Sequence, residues 1–266
     1  MLITAIYNKN RRITIRAYPW SYFMQRVIGG IFFLLLPAML YYFVFNGRMS
    51  VIYDASGYGD YITYIVIGGM LSVMSFSTLM NVGRCLIDEI REGTLDTFLL
   101  SPASRMSYFM GVYLEQFSRS AFEMLAILLF GLLIGARISI ANIPLLFVIV
   151  IVSSLAFFSF SITISSLMVY TRDTYLIQNV IYMLMLCICG VVFPIENLPK
   201  GLQLLSNLFP LTPAISMFRV AESGGTGITV FTWYFIHIVA LSISYLGIGY
   251  FSYRKMEQYL IENILS

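Results

Sequence analysis

Six stretches of this chain are apolar for long enough to cross a bilayer as helices: residues 27–45, 62–83, 110–136, 143–169, 175–193 and 230–251. An α-helix rises about 1.5 Å per residue, so about 20 apolar residues cover a hydrocarbon core about 30 Å thick. In that medium each backbone N–H and C=O must be satisfied within the protein, which makes a helix the natural form for each run. Composition agrees, with 59% of the 266 residues hydrophobic and 11% charged, against about a quarter charged in soluble domains. The expected fold is an all-α polytopic membrane protein with six transmembrane helices.

Residues 1–26 precede the first run and carry Lys9, Arg11, Arg12, Arg16 and Arg26 beside Tyr18, Trp20 and Tyr22. No small-residue cleavage site follows a short apolar region, so this reads as a retained amphipathic interfacial segment with its aromatics at headgroup level. Six spans send the connecting segments alternately to two sides. One side collects the N-terminal basics with Arg84, Arg91, Arg105, Arg119, Arg172, Arg254 and Lys255; the other holds Arg48, Arg137, Lys200 and Arg219. The positive-inside bias then puts both termini in the cytoplasm of a multi-pass cell-membrane protein. The same asymmetry accounts for the formal charge of +3, so no nucleic-acid partner is expected.

Several chemistries are excluded. A P-loop needs G-x-x-x-x-G-K-[ST], and none of the lysines, Lys9, Lys200 and Lys255, has that context. Any ATP used must be bound by a partner. No G-x-S-x-G elbow accompanies the single histidine, His237, so no catalytic residues are expected. His237 reads as a hydrogen-bonded packing residue of the last span, with a proton relay as the alternative. Cys85, Cys187 and Cys189 have neither disulfide nor metal-site spacing, and no metal is expected. The "SGYGD" at 56–60 resembles a potassium-channel filter, but the preceding "NGRMSVIYDA" offers no pore helix and no Thr-Val pair; a glycine-rich outer turn is the plainer reading.

Charge inside the spans is sparse. Glu115, Arg119 and Glu123 recur at four-residue intervals, which puts them near one helical face and lets Arg119 pair with either carboxylate. They read as structural ion pairs at the inner end of the third span or as the polar lining of a substrate path, with Glu123 the deepest. Ser153, Ser154, Ser159, Ser161, Ser165 and Ser166 in the fourth span read as small-residue packing.

Between spans two and three, "RCLIDEIREGTLDTFLLSP" at 84–102 gathers Arg84, Asp88, Glu89, Arg91, Glu92 and Asp96. Leu86, Ile87, Ile90, Leu95, Phe98 and Leu99 share one face, so the segment is expected as an amphipathic helical stretch on the cytoplasmic surface. Gly93 can end one helix in a left-handed cap and Thr94 begin another; Ser101 and Pro102 read as cap and first position of the helix into span three.

Glu92 to Pro102, "EGTLDTFLLSP", resembles the cytoplasmic signature of permeases of the type-2 ABC exporter superfamily, commonly E-x-G-T-L followed by Ser-Pro. A second match, "FPIENLP" at 193–199 followed by "LFPLTPAISMFR" at 208–219, is similar to that family's outer segment between spans five and six. Pro213 stands where many relatives have an aromatic residue. Pro194, Pro199, Pro210 and Pro213 bracket an apolar stretch too short to span, which predicts an outer re-entrant helical hairpin over 194–213, covered by protein.

The resemblance implies a permease of the drug- and antibiotic-export kind, a single transmembrane domain over 1–266. Two such subunits, identical or sister, would enclose a pathway, and two soluble ATPase subunits holding ATP and Mg would dock beneath. The 84–102 region would then be the coupling segment, with Glu89, Arg91, Glu92, Gly93, Thr94, Leu95, Asp96, Ser101 and Pro102 as its contacts and elbows. Phe193, Pro194, Leu198, Pro199 and Pro210 would form an outer gate. An amphipathic drug, antibiotic, peptide or lipid is the implied cargo, a lipid-linked glycan its nearest competitor. A passive channel and a non-transporting membrane scaffold remain as other classes.

Overall fold

The structure is a computed structural model that describes residues 2–17, 20–44, 60–94, 104–139, 142–171, 174–222 and 228–264. Among them the chain forms nine α-helices and no strand. These are α1 (Leu2–Ala17), α2 (Trp20–Met39), α3 (Tyr61–Arg91), α4 (Arg105–Ile134), α5 (Ile143–Thr171), α6 (Thr174–Ile188), α7 (Lys200–Ser206), α8 (Leu211–Glu222) and α9 (Ile228–Ile264). A π-turn at Leu40–Val44 continues α2, where Pro37 removes the N–H that would close the preceding turn. Tyr18, the side chains of Trp20 and Tyr22, and residues 56–59 of the SGYGD turn lie outside what is described.

Among the described residues five stretches are long and apolar enough to cross a membrane: Val27–Val44, Tyr61–Arg91, Arg105–Ile134, Ile143–Thr171 and Thr229–Lys255. They match five of the six apolar runs. The remaining run, 175–193, yields α6 of only 15 residues. Gly190 there adopts a left-handed φ of 76°, and its carbonyl accepts from Tyr64 Oη at 3.0 Å and Arg219 Nη1 at 2.9 Å. The chain leaves the helix because partners elsewhere in the fold take up the carbonyl.

Helix α3 is the axis of the bundle. Its apolar window is 78% buried, against 11% for that of α9, and it packs against α2, α4, α5, α6 and α8. Small residues make this possible: Gly68 lies so close to the turn after α6 that a Cβ there would sit 2.3 Å from the Val191 carbonyl oxygen. All six α5 serines are buried, and Ser154 bonds Tyr113 Oη across the α4 interface at 2.6 Å, the packing expected of them. By contrast, Phe122, Leu133, Trp233 and Phe251 project outward from α4 and α9. Apolar surface on that scale belongs against lipid or another protein.

Candidate functional site

Two constellations stand at opposite ends of α3. The first is the corner after Arg91. Gly93 takes φ 68°, its N–H donates to Ile90 O at 3.2 Å, and Thr94 N–H donates to Glu89 O at 3.0 Å. This pair of bonds is the Schellman closure, which satisfies the last carbonyls of a helix and demands a residue without a Cβ penalty at the left-handed position. The expected elbow at Gly93 is therefore present. Residues 84–91, however, are the last two turns of α3 and not a separate surface helix. The length of α3, 31 residues, carries it past the hydrocarbon boundary without a break.

Glu89 is 7% exposed. Its carboxylate accepts Lys9 Nζ from α1 at 3.1 Å, Tyr108 Oη from α4 at 2.9 Å and the Thr94 hydroxyl from beyond the corner. Thr94 also donates to Glu89 O at 3.3 Å, so its side chain closes the preceding helix. One buried carboxylate thus joins the N-terminal helix, the central helix, α4 and the corner. Charge-assisted hydrogen bonds of this kind are about twice as strong as neutral ones. Glu89→Ala would take from the buried Tyr108 hydroxyl its shorter bond, leaving the longer one to Cys85 O at 3.4 Å, and would release Lys9, a loss of about 1–3 kcal/mol. It is expected to expose α1 to limited proteolysis, whereas Glu89→Gln, which keeps an acceptor, should protect it. Equal cleavage of the wild type and Glu89→Ala would refute this brace.

Arg91 and Glu92 are exposed. Leu95, Asp96, Ser101 and Pro102 lie outside the described residues. The helix into the next span is capped by Ser104, whose hydroxyl accepts Ser107 N–H at 3.3 Å, three positions later than the Ser101-Pro102 reading placed it.

Arg119 Nη2 on α4 donates to Glu115 at 2.9 Å, to Gln116 Oε1 at 3.2 Å and to Asn81 Oδ1 on α3 at 3.5 Å. Glu123, one turn beyond Arg119 and 2% exposed, accepts Ser77 Oγ at 2.8 Å. A cleft of about 140 Å³ brings Lys9, Glu89, Glu92, Glu115 and Arg119 together, and Glu123 is not among its lining residues. Among the described residues no group of His, Cys, Asp and Glu could hold a metal ion.

The second constellation is built from the proline-rich motif segment, residues 193–219. Pro194 and Pro199 stand as extended residues (ψ 138° and 144°) before a 3-10 turn, Ile195–Asn197, and before α7. Leu198 is forced extended by the proline after it. Gln203 then folds back to donate to Leu198 O at 2.8 Å. At the next corner Thr212 Oγ1 donates to Ser206 O at 2.7 Å, and Pro210 is buried. Pro213 falls in the first turn of α8, where its missing N–H has no intrahelical acceptor to lose. Two helices, α7 and α8, occupy the segment expected as the hairpin. Its covering does not match the expectation within this chain: α8 is buried, but Leu204, Leu205 and Leu208 are exposed, as is Phe193. Seven residues of α7 present too short a face to turn every leucine inward.

Arg219, in α8, binds this end together. It is 6% exposed and donates to Gly190 O at 2.9 Å, Tyr64 O at 3.1 Å and Val191 O at 3.5 Å, with its guanidinium carbon 3.3 Å from the centroid of the Tyr64 ring. Hydropathy counts Arg219 merely as an outer charge. A guanidinium suits the place because its planar fork serves several carbonyls while stacking on an aromatic face. His237 on α9 meets the backbone of Asn207, and Tyr245 Oη donates to Leu208 O at 2.7 Å. The histidine thus sits at a packing contact.

Comparison with known proteins accords with this layout. The "Probable multidrug ABC transporter permease YbhR" of Escherichia coli K12 and its namesake in Escherichia coli O157:H7 are each 23% identical to this chain over 152 residues. The alignment covers 57% of this chain and 41% of each relative, so the chain matches about two fifths of their length. The profile described as "ABC-2 type transporter" matches residues 4–223 and so takes in both motif segments and the helix between them. A match over that much of the sequence settles the family: the chain belongs to the ABC-2 type transporter family.

Proposed function

We propose that the chain is the permease subunit of an ATP-driven exporter that moves an amphipathic molecule (a drug, antibiotic, peptide or lipid) out of the cytoplasm or inner leaflet of a cell membrane. The observation that carries the reading is the arrangement of the two motif segments at opposite ends of α3. A corner bearing exposed Arg91 and Glu92 lies at one end, and the Pro-rich hairpin is bound by Arg219 at the other. Six spans follow if α6 crosses together with the buried turn at Cys189 and Val191, and both termini then lie in the cytoplasm with the basic residues.

In this scheme two soluble ATPase subunits supply the P-loop, ATP and Mg, and dock on Arg91, Glu92 and the segment through Leu95, Asp96, Ser101 and Pro102. Gly93 and Thr94 form the elbow. Glu89 positions that surface from inside and does not touch the partner. The exposed leucines of α7 and the gate residues Phe193, Pro194, Leu198, Pro199 and Pro210 would be completed by a second permease subunit, self or sister. Glu115, Arg119 and Glu123 act as structural polar contacts between α3 and α4.

Glu92→Lys tests the docking face. A like-charge juxtaposition at a protein interface is costly while an exposed charge contributes little to folding, so membrane insertion and melting temperature should hold. Substrate-stimulated ATP hydrolysis by the reconstituted complex should fall about tenfold, a penalty of about 1.4 kcal/mol. Unchanged stimulation would remove the assignment.

A further inference from the structure

The connection between α4 and α5 has no part in the two constellations above, yet three other helices reach into it. Tyr42 Oη, in the π-turn after α2, donates to Ile134 O at 2.8 Å. Thr63 Oγ1 of α3 accepts Arg137 N–H at 2.8 Å. From the end of α8 the Glu222 carboxylate accepts Ser139 N–H, and Ala221 O accepts Asn142 Nδ2 at 2.9 Å. Asn142 N–H donates in turn to Ser139 O at 3.2 Å, so both attachments to α8 belong to one small turn.

Arg219 and Glu222 stand three residues apart, so α8 carries two opposite grips within one turn. The cation holds carbonyls and the anion holds an N–H, each the charge that suits the backbone group it meets. Their surroundings differ. Arg219 is 6% exposed, and breaking its bonds would leave a desolvated charge. Ser139 is exposed and Glu222 half-buried, so water can take over both partners as soon as they part, and the net strength of such a bond is small. Before the turn, Gly135 takes φ 110°, and its N–H and that of Ala136 close the end of α4 at 3.2 and 2.9 Å. The attachments to α8 can therefore break and re-form without unfolding a helix.

We propose that the α4–α5 connection is a strap fastened to α8 by Glu222, and that it lifts from α8 to let cargo leave. The lifting rests on the exporter reading and the fastening does not, so the two can fail separately.

Amide hydrogen exchange of the full chain in detergent micelles reads the fastening. Glu222→Ala should speed exchange at Ser139 about tenfold and leave Leu211–Phe218 of α8 as protected as in the wild type. If that variant does not fold, Glu222→Gln, which keeps an acceptor without its charge, should speed exchange there about threefold. Unchanged exchange at Ser139, or equal loss of protection along α8, would overturn the strap. A crosslink reads the lifting. In a Cys187→Ser background, which removes the exposed thiol, Ser139→Cys and Glu222→Cys are joined by a short bifunctional methanethiosulfonate. The joined protein, reconstituted with its ATPase, should lose transport, and reduction should restore it. Full transport with the crosslink in place would overturn the lifting. If the wild-type complex moves nothing, the exporter reading falls and the exchange result alone decides the fastening.

Discussion

Substituting methionine for Arg219 should lower the melting midpoint of the detergent-purified protein by about 6–12 °C, the shift that about 3 kcal/mol produces in a chain of this size. The guanidinium supplies hydrogen bonds to the carbonyls of Gly190, Tyr64 and Val191 and sits 3.3 Å above the Tyr64 ring. Hydrogen bonds from a charged donor contribute about 1.5–3 kcal/mol each, and a desolvated cation–π contact about 2. Removing the buried cation also relieves its own desolvation, which is why the net estimate lies well below the sum. What decides the sign is the turn left behind. Gly190 would keep Tyr64 Oη, but the turn would lose the donor that joins α8 to it and to α3. Lysine should rescue little, because one ammonium cannot fork across these carbonyls. A midpoint unmoved by Arg219→Met would show that the turn stands without it.

Gly68→Ala should be as damaging, for a steric reason. The added methyl would lie 2.3 Å from the Val191 carbonyl oxygen and 3.0 Å from its carbon, and these are backbone atoms that cannot rotate aside. The turn must move off α3 by roughly 1 Å to regain van der Waals distance, which pulls the same carbonyls away from Arg219. Overpacking of this kind costs about 1–3 kcal/mol before the broken hydrogen bonds are counted. The two lesions strike one contact, so the double variant should be no more than about 1 kcal/mol worse than the stronger single one. Gly201→Ala provides the control: nothing lies within 4 Å of a Cβ there, and alanine favours the helix that contains it. Full additivity of Gly68→Ala with Arg219→Met, or a loss at Gly201 equal to that at Gly68, would contradict the geometry.

The parts of this fold that periodicity and hydropathy revealed are those that depend on local composition. Five apolar runs became five long helices because hydrocarbon admits little else. Gly93 was legible for the same reason: a glycine after a helical charge run signals a left-handed cap, and nothing distant has to agree. Glu89 misled because the face it occupies is set by Lys9 and Tyr108, 80 residues before it and 19 after it. A helical wheel groups it with the other charges of the 84–102 segment, whereas the fold turns it inward. Arg219 was counted with the loop charges on the rule that cations seek water. Its acceptors lie 29 and 155 residues away, and they are backbone groups that residue types do not reveal. The shortened α6 follows from the same contact, since a 19-residue apolar run, 175–193, does not announce that its last carbonyls will be taken by a side chain.

Helix α3 reaches from Tyr64, held by Arg219, to Glu89, held by Lys9, Tyr108 and Thr94, a separation of about 37 Å by helical rise. It contains no proline, but Gly68 and Gly69 stand side by side near the Arg219 end, and Ser72 Oγ donates back to Gly69 O at 2.9 Å, the kind of glycine–serine site at which a helix bends. A shift of the Glu89 end would travel along one continuous helix as far as that site. Whether the Arg219 end follows then depends on the close seat of Gly68 against the Val191 backbone, so a packing contact one methyl wide sets how stiffly the two ends are joined.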